Sequence, residues 1–278
     1  MKDSQKLIKY LAIAFAFFLI ITIISAISTA IYSLVVLFGI FDKNESNKNE
    51  SNTEIKYNNK IDEDLENISS IDINVKYSNL IIKTADKLSV DTDNDDIEYN
   101  YDKNILEIVE RKNKIFSSKK NKTLRVYIPS DIQLDSVKID IGAGKTEIDS
   151  LNTNSFFLDT GAGKTVLRKV NANSASIDSG AGKLEIESSK FNNLDFDMGV
   201  GKTDITASLT GVSKIDAGVG ELNLNLLESI DNYSFKINKG IGKITVNGLN
   251  TKDDEVVGAG KNIVNIDGGV GSISINTK

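Results

Sequence analysis

The sequence predicts an all-β protein, a β-solenoid of repeats about 19 residues long that is preceded by one N-terminal transmembrane α-helix. Three observations predict it. The N-terminal part holds a long segment without charge, short stretches farther on alternate apolar with polar residues, and a Gly-x-Gly unit recurs through the second half of the 278 residues. A period near 19 residues is too short for two helices per repeat, so the repeated unit is expected to consist of strands.

The charge-free segment runs for 32 residues, from Tyr10 to Phe41. A helix needs about 20 mainly apolar residues to cross the hydrocarbon core of a bilayer. The segment is longer than the apolar region of a cleaved signal peptide, and a buried helix of a soluble protein is rarely apolar on every face over such a length. Residues 10–41 are therefore predicted to contact the lipid bilayer as a single span.

The flanks of this span suggest its orientation and the domain boundaries. Lys2, Lys6 and Lys9 precede it and favour a cytoplasmic N-terminus, which would leave the C-terminal domain extracellular. The following stretch is rich in Asn, Glu, Lys and Ser and cannot bury enough apolar surface to fold. We therefore divide the chain into a stub with the transmembrane helix (1–42), a disordered polar linker (43–68) and a repeat β domain (69–278).

Short strands are expected at the start of the β domain. Alternating stretches begin at Ile71, Leu80, Leu88, Ile105 and Leu124, and period-2 alternation is typical of strands with one buried face. Pro129 cannot donate to a sheet ladder and is expected to end the last of them.

The Gly-x-Gly unit starts at Gly142, Gly161, Gly180, Gly199, Gly218, Gly240, Gly258 and Gly269, with four intervals of 19 residues followed by intervals of 22, 18 and 11. Glycine adopts positive φ without steric cost, so these pairs are expected at bulges or corners of the coil. The predicted structural turn glycines are Gly142, Gly144, Gly161, Gly163, Gly180, Gly182, Gly199, Gly201, Gly218, Gly220, Gly240 and Gly242.

Apolar residues recur at fixed offsets from these glycines, which predicts three core columns. The column three residues before the unit holds Ile139, Leu158, Ile177, Phe196, Ile215 and Ile237. The middle residue of the unit supplies Ala143, Ala162, Ala181, Val200, Val219 and Ile241. The column six residues after the first Gly supplies Ile148, Leu167, Ile186, Ile205, Leu224 and Val246.

An aspartate column stands two residues before the unit, at Asp140, Asp159, Asp178, Asp197 and Asp216, and Asn238 continues it. Stacked like charges repel, so we expect an offset from the lysine column (Lys145, Lys164, Lys183, Lys202) or from a bound cation. The five aspartates are weak candidates for calcium ligands. The favoured interpretation is that they are solvated or bond to local turn amides.

Several functions are excluded or disfavoured by composition. The chain has no His and no Cys, so it lacks a Ser-His-Asp triad, an imidazole or thiolate metal site and a disulfide. A net charge of −6 argues against nucleic acid. Gly-Lys-Thr at 144–146 lacks the upstream glycine of a phosphate loop, so no nucleotide is expected. Asp91 to Asp96 begins like a calcium loop but reads better as an acidic hairpin turn.

The strand that ends at Pro129, followed by Ile132, Leu134, Val137 and serial Gly-x-Gly strands, resembles the bacterial putative-adhesin domain family of unknown function. The resemblance covers residues 69–278. It implies a β-solenoid in the cell envelope and supplies no catalytic residues.

We therefore expect a single-pass protein of a bacterial cell membrane whose extracellular solenoid is a non-catalytic adhesion, envelope-scaffold or protein-interaction module. Its partner would be a cell-wall polymer or a membrane protein, and no cofactor is expected. The alternatives are a membrane-bound regulator of the envelope stress response and, third, a polysaccharide-active β-helix enzyme that uses the aspartates.

Overall fold

The computed structural model describes residues 68–111 and 122–278. Over these ranges the protein is all-β, as predicted, with one short 3-10 helix at Ile230–Asn232. The first strands are β1 (Ser70–Val75), β2 (Asn79–Ala85), β3 (Ser89–Thr92), β4 (Ile97–Asp102), β5 (Ile105–Glu110) and β6 (Thr123–Pro129). The central strands are β7 (Leu134–Asn192), β8 (Leu194–Thr210) and β9 (Val212–Leu226). The last are β10 (Tyr233–Asn238), β11 (Ile241–Val246), β12 (Leu249–Asn250), β13 (Glu255–Val257), β14 (Asn262–Asp267) and β15 (Val270–Asn276).

The strands form one open, 15-stranded sheet that coils as a solenoid-like stack. The long strands β7, β8 and β9 pair in parallel with their neighbours at an offset of 19 residues over most of their length, so that Phe196 lies beside Ile177 and Ile215. Parallel pairing at this offset stacks each coil on the one before. Apolar side chains at equivalent positions then fill one continuous core.

Two of the three predicted apolar columns lie in this core. Phe196 and Ile205, which represent the first and third columns, are each 0% exposed. The core also contains a column that the sequence did not suggest, four residues after the first Gly, whose members in successive coils include Leu184, Thr203 and Leu222.

The prediction for the middle column was wrong. Val200, Val219 and Ile241 are 58%, 45% and 76% exposed. The middle column lies four residues after the first column, and residues four apart share a face only in a straight strand. Here the chain turns at the Gly-x-Gly unit, so the middle residue lies on the outside of a corner and the buried alternation resumes at Thr203 in a new phase.

The glycines of these corners meet two different requirements. The second glycine has φ between 138° and 151° at Gly144, Gly163, Gly182, Gly201, Gly220 and Gly242. The first glycine (Gly142, Gly161, Gly180, Gly199, Gly218, Gly240) lies outside the positive-φ region but approaches a neighbouring coil closely. A Cβ on Gly161, for example, would lie 2.2 Å from the carbonyl oxygen of Gly142.

A second bend follows the corner in each of the coils of β7. Ser150, Lys169 and Ser188 adopt φ of 66°, 52° and 50° at intervals of 19 residues. No glycine marks these positions, which is why the sequence did not reveal them.

Coil order at the C-terminal end differs from chain order. Strands β14 and β15 pair with β9 on one side and with β10 and β11 on the other. The last coil in the chain therefore lies between the coil of β9 and the coil of β10 and β11. Gly269 consequently lies over Gly218, and Gly240 lies over Gly269. Gly258, which we counted with the repeat units, instead lies against Tyr233.

The N-terminal end has the reverse arrangement. Strands β1 and β2 lie between β7 and the later strands β5 and β6. At both ends the outer coil is covered by antiparallel strands, β4 and β3 on β5 and β6, and β13 and β12 on β10 and β11. Two-residue turns at Lys103–Asn104 and Asn247–Gly248, all with positive φ, connect β4 to β5 and β11 to β12.

The predicted transmembrane helix at 10–41, the stub before it and nearly all of the linker fall outside the described residues. Within 68–111 and 122–278, no helix combines the length and the apolar character that crossing a bilayer requires. Ile68, assigned to the linker from the sequence, packs on the hydrophobic core.

Candidate interaction surface

An apolar ridge lies along the Gly-x-Gly corner of the C-terminal coils. It consists of Val200, Val219, Val270 and Ile241, which are neighbours in successive parallel strands. Their exposed fractions lie between 45% and 76%. In the coils of β7 the ridge continues as the smaller side chains Ala143, Ala162 and Ala181. The glycines on either side have no side chain to cover it, so the aliphatic groups project into solvent.

An aspartate ladder runs beside this ridge, on the strands that lead into the corner. Its members are Asp140, Asp159, Asp178, Asp197, Asp216 and Asp267. Asp178, Asp197 and Asp216 occupy directly paired positions, and Asp267 follows Asp216. The sequence missed Asp267 because the inserted coil places it between Asp216 and Asn238.

Stacked carboxylates change one another's acidity. Burial, followed by the charges of Asp140 and Asp178, raises the pKa of Asp159. Burial, followed by the charges of Asp178 and Asp216, raises the pKa of Asp197. At the C-terminal end of the ladder, the Asn238 amide donates a hydrogen bond of 3.0 Å to Asp267, so a neutral side chain ends the row of charges.

The ladder does not gather its carboxylates around one point. In the described part of the chain, no group of three or more Asp and Glu side chains is arranged to hold a metal ion. Asp216 of the ladder forms an ion pair, since Lys214 Nζ lies 2.5 Å from its carboxylate.

The lysine column does not offset the aspartate ladder, contrary to our expectation. It faces a second row of acids on the strands that leave the corner. Lys164 lies 2.8 Å from Glu185, and Lys202 lies 2.8 Å from Glu221. Lys145 pairs with Glu147, and Lys183 also pairs with Glu185. Hydrogen bonds from Lys164 and Lys183 lower the pKa of Glu185 to about 2.

The two flanks of the ridge therefore differ in charge. The flank before the corner is a row of stacked carboxylates with Lys214 paired to Asp216, whereas the flank after it is a network of alternating charges. A partner that approaches the ridge would meet an apolar line with an acidic border on one side.

A polar cluster occupies the N-terminal end of the stack, where the sequence suggested a solvated acidic hairpin turn. The acidic side chains Asp91, Asp93 and Asp95 are exposed, as predicted, but the hairpin was wrong: residues 93–96 connect β3 to β4, which pair with β6 and β5 and not with each other. Asn94 in this turn is 2% exposed. Its side-chain amide donates to Glu110 at 2.7 Å and to Ser78 at 2.8 Å.

Glu110 completes the corner of the first coil. In later coils the amide of the middle corner residue donates to a carbonyl of the adjacent coil, as Ala143 does to Lys76. The equivalent amide in the first coil, Tyr77, donates instead to the Glu110 carboxylate at 2.8 Å. Burial of this carboxylate opposes its ionisation, but hydrogen bonds from the amides of Tyr77 and Lys76 outweigh it and lower the pKa of Glu110.

Comparison with known proteins identifies the fold family. Residues 68–257 match the model of the Toastrack DUF4097 family. The chain belongs to this family. The Toastrack match spans the N-terminal polar cluster and the central coils and ends before the inserted coil of β14 and β15. No match was found among curated proteins.

Two solved structures are similar to this Toastrack protein. One is a putative cell adhesion protein from Clostridium sporogenes, 18% identical, with 76% of this chain and 93% of that chain covered and a TM-score of 0.36. The other is a putative adhesin from Bacteroides fragilis, 15% identical, with 76% of this chain and 94% of that chain covered and a TM-score of 0.41. The family resemblance predicted from the sequence is confirmed.

Proposed function

We propose that this Toastrack protein is a single-pass, membrane-anchored surface protein of a bacterium whose solenoid binds a wall polymer or another surface protein without catalysis. The observation that supports this proposal best is the apolar ridge of Val200, Val219, Val270 and Ile241. A contiguous row of exposed aliphatic side chains lowers solubility, and such rows mark surfaces that bind a partner. In this proposal residues 10–41 act as the anchor, and the polar residues 43–67 act as the spacer between the anchor and the solenoid, which begins at the buried Ile68.

Topology is tested by protease treatment of intact cells that carry a C-terminal tag. Loss of the tag from intact cells is expected if the solenoid lies outside. A tag that is protected in intact cells and digested after lysis would contradict the surface proposal and leave a scaffold on the cytoplasmic face.

Binding through the ridge is tested with a variant in which Val200, Val219 and Val270 are all replaced by Ser. We expect reduced attachment of cells to their substratum, with unchanged surface abundance and unchanged thermal unfolding. The matched control is Val212→Ser, because Val212 is 53% exposed but lies away from the corner. Equal attachment by both variants would exclude the ridge as the binding surface.

Deletion of the whole protein separates the two leading functions. Loss of attachment supports adhesion. Normal attachment with an altered envelope-stress response would instead support the regulatory module, which would use the same surface to bind a membrane partner. Turnover of a wall polysaccharide by the purified chain would contradict the non-enzymatic assignment.

A further inference from the structure

The polar cluster at the N-terminal end brings a lysine amine against a buried carboxamide. The Lys122 Nζ atom lies 2.5 Å from Asn94 Oδ1. Asn94 is 2% exposed, and the side chain of Lys122 is 21% exposed. The opposite side of the carboxamide faces Glu110, whose Oε1 accepts from Asn94 Nδ2 at 2.7 Å. An amine, an amide and a carboxylate from three separate segments thus form a line of contacts.

We propose that Lys122 and Asn94 condense to an intramolecular isopeptide bond. The Nζ–Cγ bond forms and the Cγ–Nδ2 bond breaks. The lysine ammonium and the carboxamide become a secondary amide and an ammonium ion, so atoms and charge balance. The reaction needs no oxidant, reductant or co-reactant.

Each step of the condensation has a group in place. The Asp96 carboxylate lies 3.6 Å from Lys122 Nζ and accepts the proton that the ammonium must lose before it attacks. The backbone N–H of Asp96 donates to Asn94 Oδ1 at 3.1 Å. This donor stabilises the negative charge that develops on the amide oxygen in the tetrahedral intermediate.

Glu110 serves the leaving group. Its carboxylate contacts Nδ2, the nitrogen that must gain a proton before it departs as ammonia. It takes a proton from the attacking nitrogen in the intermediate and delivers it to Nδ2. Glu110 is itself held by the amides of Lys76 and Tyr77, at 2.7 and 2.8 Å, so its position is fixed by the backbone.

The backbone also fixes the two reacting residues. The Lys122 carbonyl accepts from the Asn79 amide at 2.8 Å, and the next amide, of Thr123, donates to the Asp93 side chain at 2.6 Å. Asp93 immediately precedes Asn94. Holding two groups in contact in this way raises their effective concentration by many orders of magnitude and removes the entropy cost of their encounter.

The bond would have a clear structural effect. It would join the turn between β3 and β4 to the start of β6, and so fasten the antiparallel cover to the outer coil at this end of the stack. A chain without cysteine would gain the kind of covalent restraint that a disulfide provides elsewhere.

The test is the mass of the purified full-length chain, in detergent, followed by sequencing of its tryptic peptides. We expect a mass lower by one ammonia than the sequence requires, and a branched peptide that joins the Asn94 and Lys122 segments. Lys122→Arg should restore the full mass, whereas Lys138→Arg should leave the crosslink intact. Glu110→Gln should lower the crosslinked fraction at least about tenfold at equal strand content by circular dichroism.

Two results would overturn the proposal. One is an intact wild-type chain of full mass with no branched peptide after prolonged incubation. The other is a loss of ammonia that persists in Lys122→Arg, which would indicate cyclisation of an asparagine elsewhere. Asn94→Asp provides a further check, because condensation in that variant must release water in place of ammonia.

Discussion

Replacing Gly182 with Ala tests the origin of the corner. Gly182 has φ of 140°, a conformation that L-residues rarely adopt, and forcing a side chain into it costs about 1–3 kcal/mol. The new Cβ would also lie 1.9 Å from the carbonyl oxygen of Gly163, a backbone atom that can retreat only if the two coils separate. Overpacking of this kind costs about 1–3 kcal/mol more. The expected loss is therefore about 2–6 kcal/mol, a large part of the usual stability of a domain.

Gly248→Ala is the matched control, because Gly248 also has a positive φ but does not lie close to a neighbouring coil. Gly248 has φ of 79°, and nothing lies within 4 Å of its added Cβ. Only the backbone strain of about 1–2 kcal/mol remains. Urea unfolding of the full chain in mild detergent, followed by circular dichroism, measures both variants. Equal destabilisation by the two substitutions would refute the argument that coil contact, beyond φ, requires glycine at the corner.

Four further substitutions test the core and the charged columns. Val200→Ser should change the free energy of unfolding by no more than about 0.5 kcal/mol, whereas Phe196→Ala should lower it by about 3–5 kcal/mol. A large loss of stability in Val200→Ser would contradict the exposed position of Val200. Asp197→Asn should stabilise the protein by about 0.5 kcal/mol at neutral pH. Since the folded pKa of Asp197 is raised, its charge destabilises above that pKa, and the gain should disappear as acid protonates the wild type. Glu185→Gln should lose about 0.5–1 kcal/mol at neutral pH. Because the folded pKa of Glu185 is about 2, this difference should fade between pH values near its ordinary pKa of 4.5 and about 2, and a difference that persists below would contradict the pairing with Lys164 and Lys183.

The sequence predicted the features that depend on local pattern. Period-2 alternation located β1, β2, β3, β5 and β6 but missed β4, and the 19-residue spacing placed Phe196 and Ile205 in stacked, buried positions. It failed for Val200, because residues on the two sides of a bend no longer share a face. The sequence correctly predicted that Asp216 lies beside Asp197 in the aspartate ladder. It did not predict that Asp267 lies next to Asp216, because the inserted coil makes the spatial order of the coils differ from their order in the chain.

The polar cluster could not have been found from the sequence. Asn94, Glu110 and Lys122 belong to segments that pair in an order set by the inner position of β1 and β2. The three side chains meet because the corner after β1 lies beside the turn between β3 and β4. Asp91, Asp93 and Asp95 are exposed, as an acidic run is expected to be, but nothing in the local sequence indicates that Asn94 between them is buried.

The inner position of β1 and β15 determines how this solenoid can change in length. Both strands are already flanked on two sides, so a repeat appended beyond either of them would find no vacant ladder to continue. Growth is possible only by inserting whole coils into the uniform region of β7 to β9. Each insertion of 19 residues would move the two capped ends about 4.8 Å farther apart without altering either cap. The middle of the molecule thus acts as an adjustable spacer between two fixed ends.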